Sequence, residues 1–297
     1  MNNKNVVTLG YVTGIATIVS QLSALLPNPF SDPFSFTKLR NLFSIIWFDV
    51  FHFDIFRVDI ESSGQNLNIL ILIGGIVMLA GTVMFANSNG REAALFRGMI
   101  AIVFLNSITG FVDGVFYSQT MTYRIALGLI SIGFGYASYL ALRSTSGTMR
   151  STQVIAPKEK RALNWFIDIT LQILVLSAST PMIVFFDLVE QNTNVQIALA
   201  SFFLISRIIY YPLFEIVFKA TPAKFFTQTK VLRDTDAEPD FINIIGRTLS
   251  RFIPFEPLSF FGTTGWHDSL SHTKVVNEVS IVEDSGYRKG FDTVIDQ

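Results

Sequence analysis

The sequence predicts an all-α fold: a polytopic transmembrane helix bundle of about six spans with a cytoplasmic interfacial helix. Three observations predict it. Half of the 297 residues are hydrophobic, and the mean hydropathy is +0.45. Only 15% are charged, against roughly 25% in an ordinary soluble domain. The apolar residues also gather into stretches near the ~20 residues that a helix needs to cross hydrocarbon. The 29 Phe exceed what one globular core needs, so lipid must cover part of the apolar surface.

Six stretches qualify as spans. The first runs roughly from Val6 to Leu26. It is too long without a charge for a secretory leader, so it is read as retained. The second, Leu67 to Ala86, contains NILILIGGIVMLAGTVMFA and no charge. The third, Gly98 to Ser118, holds Asn106 and Asp113. The fourth is Tyr123 to Leu142. The fifth, Leu163 to Asp187, holds Asp168, and the sixth, Gln196 to Phe218, holds Arg207. Gly74, Gly75 and Gly81 in the second span, with Gly128, Gly133 and Gly135 in the fourth, are expected to allow close helix packing.

Charge placement orients the bundle. The loop between the fourth and fifth spans carries Arg143, Arg150, Lys158, Lys160 and Arg161, while DLVEQNTNVQ after the fifth carries no basic residue. Lys219, Lys224, Lys230 and Arg233 follow the sixth, and Arg91 and Arg97 separate the second from the third. Basic loops stay cytoplasmic, so both termini are expected inside a bacterial-type inner membrane. Residues 27–66 then lie outside. They hold an aromatic run in which Phe36, Leu39, Phe43, Ile46 and Trp47 share a helical face, expected to lie in the headgroup region.

Several functions are excluded or disfavoured. Without Cys there is no disulfide, thiolate site or Cys nucleophile. Three His, of which His52 sits between Asp49 and Asp54, do not suggest a metal centre. Phosphate-loop, dinucleotide and zinc-ligand motifs are absent, so no cofactor is expected. Near-zero net charge gives no pull towards nucleic acid. No nucleophile is marked, so the chain is not read as an enzyme.

From about Pro157 to Val276 four blocks occur in order: RALNWFID, YYPLFEIVFKATPAKFFTQTKV, GRTLSRFIPFEPLSFF and GWHDSLSHTKVV. Together they resemble the RDD family of membrane proteins over about two-fifths of the chain. The Arg, Asp and Asp of the family name would be Arg161, Asp168 and Asp268, with Arg247 a further motif position. Ala223 replaces the Gly of the family's Thr-Pro-Gly-Lys turn. The organisation is therefore 1–156, an N-terminal membrane region of about four spans; 157–276, an RDD-like domain of two spans plus the interfacial helix; and 277–297, a polar, flexible tail. The resemblance implies transport in some members, including sodium–proton exchange.

The charges inside the spans carry the functional expectation. An ionised group in hydrocarbon costs on the order of 3 kcal/mol on insertion scales. Asp168 lies about 10 Å from the start of its span and Arg207 about 16 Å from the end of its own. The two helices run antiparallel, so an Asp168–Arg207 pair is within reach, and Glu215 shares a face with Arg207. Asp168, Arg207 and Glu215 form the candidate ion and proton site. Arg161 is read as a positive-inside anchor near the surface. Ile242 to Phe252 is read as an interfacial helix with Arg247 and Arg251 facing lipid phosphates. Asp268 is read as capping a turn. The expected function is a small transporter exchanging monovalent cations for protons. The alternative is a non-transporting membrane component that stabilises or localises a partner complex.

Overall fold

The computed structural model describes residues 3–25, 58–60, 65–67, 69–117, 121–147, 149–172, 195–253, 259 and 265–280. The aromatic segment other than its two short strands, residues 173–194 in the fifth expected span and its loop, the prolines at 254 and 257, and residues 281–297 lie outside them.

The protein is mostly helical. Helix α1 spans Asn3–Leu25, α2 Ile69–Asn87, α3 Ala94–Tyr117 and α4 Met121–Ser146. Helix α5 spans Lys158–Leu171 and α6 Val195–Phe218. Three short helices follow: α7 (Pro222–Thr227), α8 (Phe241–Ser250) and α9 (Trp266–Leu270). Helices cover five of the six expected stretches; of the fifth, the helix covers residues 163–171, and the rest lies outside the described residues. Among the described residues, Ala94–Phe111 is the stretch long and apolar enough to cross a membrane by length and composition, and Leu72–Asn87 is a shorter apolar helix.

The chain is not all-α. Strands β1 (Val58–Ile60) and β2 (Gln65–Leu67) pair antiparallel. Strands β3 (Met149–Ile155), β4 (Thr229–Arg233) and β5 (Thr273–Ser280) form an antiparallel sheet in the order β3-β5-β4. Its register runs from Thr229 opposite Asn277 to Arg233 opposite Thr273, and β3 shifts register between Ser151 and Ile155, where Gln153 has φ 61°. Runs such as VLR and VVNEVS favour a pleated surface because β-branched side chains pack there. Val231, Val275 and Val276 are buried. The basic loop before α5 thus contains a strand, and strand β5 continues past Asn277 into what was expected to be tail.

The chain divides into two compact units. The first comprises residues 1–83, 102–141 and 171–203. Here α1 meets α2 through glycine: a Cβ on Gly14 would lie 2.6 Å from Leu79, and one on Gly75 2.9 Å from Ile18. In the same way a Cβ on Gly135 of α4 would meet Ser107 of α3 at 2.6 Å. Gly133 faces open space, so it is not a packing glycine. The hydroxyls of Thr13, Thr17 and Thr82 donate to carbonyls one turn back in their own helices, which satisfies a buried polar group without a partner helix. Ile125, Leu129, Ile132 and Tyr136 form one exposed face of α4.

The second unit comprises residues 84–101, 142–170 and 204–297. Arg97 of α3 is buried in it. Its guanidinium donates to Glu278 of β5 at 2.9 Å and to Ser146 at 3.1 Å, and lies 4.7 Å above the Phe225 ring. It fastens a helix to the sheet and does not lie in an exposed basic loop. The described part of α6 in this unit is polar and aromatic inside and aliphatic outside: Tyr210, Tyr211, Phe214 and Glu215 are buried, while Leu204, Ile205, Ile208, Ile209, Ile216 and Val217 are exposed.

Candidate functional site

Helix α5 supplies one wall of the site because Arg161, Asn164, Trp165 and Asp168 recur at the spacing that stacks side chains on one helical face. Arg161, Asn164 and Asp168 are buried, whereas Leu163 and Phe166 point outward. Helix α6 adds Tyr210, Tyr211 and Glu215. The turn into α7 adds Thr221, Ala223 and Lys224, α8 adds Arg247 and Arg251, and α9 adds His267 and Asp268. Arg161, Asn164, Trp165, Asp168, Tyr211, Lys224, Arg247, Arg251, His267 and Val275 line a cavity of about 30 Å³. A space of that size holds two or three water-sized bodies.

Asp168 is caged by neutral donors. Its Oδ1 accepts from the Tyr210 hydroxyl at 2.9 Å and from the Ala223 N–H at 3.2 Å, and its Oδ2 from the Thr221 hydroxyl at 2.7 Å. Asn164 below it donates to Thr229 at 3.0 Å and accepts from Thr227, which ties α5 to α7 and β4.

Glu215 is fully buried among three cations. Lys224 Nζ lies 2.9 Å and Arg251 Nη2 2.8 Å from its Oε1, and Arg247 Nε lies 3.3 Å from its Oε2. Arg251 also stacks 3.7 Å over the Tyr211 ring. Arg247 reaches further: Nη1 pairs with Asp268 and donates to Thr273 at 2.7 Å. Arg161 completes the chain of charges, 3.9 Å from Asp268.

Burial is the largest influence on Lys224 and lowers the ammonium below its ordinary value. Glu215 opposes that shift, and Arg247 and Arg251 add to it. Burial alone would raise Asp268, but Arg247 and then His267 outweigh it and hold the carboxyl below its ordinary range. The four motif residues Arg161, Asp168, Arg247 and Asp268 therefore belong to one buried cluster.

Several expectations change here. Arg161 is 4% exposed, so it is not a surface anchor. Arg247 and Arg251, 1% and 8% exposed, face the protein and not lipid phosphates. The physical reason is Glu215 and Asp268, which offer these guanidiniums buried counter-charges. The face that α8 turns outward is apolar, with Ile242 80% exposed and Phe241, Leu249 and Ile253 also exposed. Asp268 spends its carboxylate on Arg247, not on capping a turn. Asp168 and Glu215 lie in one cluster, but Arg207 pairs with neither and is 5.8 Å from the centres of the Tyr211 and Phe252 rings. Asp113 lies in α3, and its side chain is outside the described residues.

Lys224, Arg251, Tyr210 and Trp165 were not foreseen as parts of the site. The spacing of Arg161, Asn164, Trp165 and Asp168 was the available signal for Trp165. Nothing in the sequence shows that Lys224 turns back onto Glu215. Among the described residues, no group of three or more His, Asp or Glu is placed to hold a metal ion.

Residues 155–285 match the model of the RDD family. No curated protein and no solved structure matches the chain significantly. The family match, with helices that turn aliphatic faces outward, indicates a membrane protein. Residues 155–285, which bring Arg161, Asp168, Arg247 and Asp268 into one buried cluster, are an RDD family domain.

Proposed function

We propose that this is a multi-pass membrane protein with six spans and both termini cytoplasmic, and that its RDD domain moves a small ion in a proton-coupled manner. The observation that carries the reading is the charged cavity. Buried charges in a membrane protein are expensive and mark ion or proton pathways. Asp168 on the cavity wall is the group proposed to exchange its proton, and Lys224 and Glu215 set the local charge. The basic loops before α5 and after α6 support the orientation.

Cation–proton exchange on these carboxylates has a definite structural demand. A cation reaching Asp168 would displace Tyr210, Thr221 and Ala223, and one reaching Glu215 would meet three positive groups. That saturation favours a second reading, in which the network is static and the chain is a non-transporting membrane component that stabilises a partner complex.

Proteoliposomes with a trapped pH-sensitive dye separate the two. Na⁺, Li⁺, K⁺ and Cl⁻ gradients are imposed in turn on wild type and Asp168→Asn. Gradient-driven pH change that the variant reduces at least tenfold supports transport. Folded, inserted protein that gives no pH change under any gradient supports the second reading.

A further inference from the structure

Helix α7 bridges two of the buried carboxylates. Its N-cap Thr221 and the Ala223 N–H donate to Asp168, and Lys224 Nζ lies 2.9 Å from Glu215. The helix has six residues. Isolated helices shorter than about 12–15 residues are marginal in water, so what packs on α7 sets its position.

The start of α3, in the same unit, packs on it. Arg97 and Gly98 are adjacent, and each meets one of two adjacent phenylalanines of α7. The Arg97 guanidinium lies 4.7 Å from the centre of the Phe225 ring, and a Cβ on Gly98 would fall 2.4 Å from the Phe226 ring. No side chain tolerates an approach that close, so the ring sits where only glycine admits it. Arg97 is itself fixed, by Glu278 of β5 and by Ser146. Lys224 and Phe226 are two residues apart, roughly 200° around a helix. Helix α7 is therefore held with Glu215 on one side and Gly98 on the other.

We infer that Arg97 and Gly98 are positioning residues for the charged site: they seat α7, and α7 holds the donors on Asp168 and Glu215. Displacing α7 from this seat loosens both carboxylates together, although Arg97 bonds to neither. The consequence for flux rests on the ion-transport reading; the geometry stands without it. Lys224 reports the seat. It faces Glu215 on α6, Asp168 on α5, and Arg247 and Arg251 on α8, with Arg161, His267 and Asp268 lining the same cavity. Burial, the largest influence, holds its ammonium below the ordinary 10.5. A displaced α7 gives Lys224 back to water, and its midpoint rises.

The test uses the full chain in nanodiscs of phosphatidylcholine. Trace labelling with acetic anhydride across a pH series, read by mass spectrometry of the Lys224 peptide, gives the midpoint and the plateau rate of that one amine. Gly98→Ala pushes on the Phe226 ring. It is expected to raise the midpoint by about one pH unit, a tenfold change in the ammonium-to-amine ratio at fixed pH, and to raise the plateau rate. Phe226→Ala in the Gly98→Ala background returns the space and should restore the wild-type profile. Gly133→Ala, which meets nothing within 4 Å, is the control and should leave Lys224 unchanged. Arg97→Lys keeps a positive charge for Glu278 but gives up the planar stack on Phe225 and the Ser146 bond. It should move Lys224 in the same direction by a smaller amount, and it decides the matter if Gly98→Ala does not fold. A lower melting temperature with an unchanged Lys224 profile in Gly98→Ala, or in Arg97→Lys where the first does not fold, would make these residues packing alone and overturn the inference. So would failure of Phe226→Ala to restore the profile. Absence of flux in wild type would sink the transport reading and leave the labelling result standing.

Discussion

The two units hold their helices by different means. In the first, α1 and α2 approach through Gly14 and Gly75, and buried threonines bond back to their own helices. These hydroxyls bond within their own helices, a device suited to hydrocarbon. In the second, α5, α6, α8 and α9 are joined by buried carboxylates bonded to side chains far apart in sequence, such as Glu215 with Arg251 and Asp168 with Tyr210. A fold that needs only adhesion can use the first device. The second costs desolvation for every charge, and that expense is the reason to look for a working site there.

The comparison breaks hardest at Glu215. Glu215→Gln leaves Lys224, Arg247 and Arg251 without their shared counter-charge. Removing one partner of a buried ion pair costs about 3–5 kcal/mol, so this variant should fail to fold or melt far below wild type in detergent. A melting temperature within a few degrees of wild type would mean that the network does not hold the second unit together.

A smaller effect is expected from glycine. Gly75→Ala places a Cβ 2.9 Å from Ile18 Cγ1, and overpacking of this kind costs about 1–3 kcal/mol. Gly133→Ala meets nothing within 4 Å and should gain up to about 1 kcal/mol from helix propensity. Thermal melts of the two variants should move in opposite directions. Similar shifts would mean that the α1–α2 contact is not close-packed.

The smallest effect is the pH dependence that Lys224 contributes. Its folded value lies below its ordinary 10.5, so between the two the unfolded chain binds more protons, and stability rises with pH through that window. Above 10.5 the penalty of a buried ammonium is gone. Lys224→Met should flatten the rise in melting temperature over that range. Asp268, held below its ordinary 3.8, contributes stability that is present above that value and lost as pH falls through its folded one.

Much of this was legible in the sequence, for reasons that can be named. Long apolar stretches locate helices because a helix satisfies its own backbone locally, and helices stand where five of the six apolar stretches were expected. The RDD blocks were legible because Arg161, Asp168, Arg247 and Asp268 are fixed in order along the chain. The sheet was not, since β3 pairs with β5 across 121–131 residues and β4 with β5 across 40–48, and the strands are short and partly polar. The inward turn of α8 was also hidden. Its amphipathic pattern is symmetric to the question of which face meets lipid, and only Glu215 and Asp268, contributed by other helices, decide it. Arg207 shows the limit in reverse: depth along the helix suggested a pair with Asp168, but the faces do not align and aromatic rings receive the guanidinium.

The central claim is that the buried cluster of the RDD domain works on ions and does more than hold helices together. The most direct test reads proton flux and melting temperature on the same preparation of wild type and Asp168→Asn in proteoliposomes. The account predicts flux lost in the variant at a melting temperature close to wild type, because the amide keeps the shape of the carboxylate. Flux that survives the substitution, or a wild-type protein that is folded and inserted yet moves no protons, would contradict it.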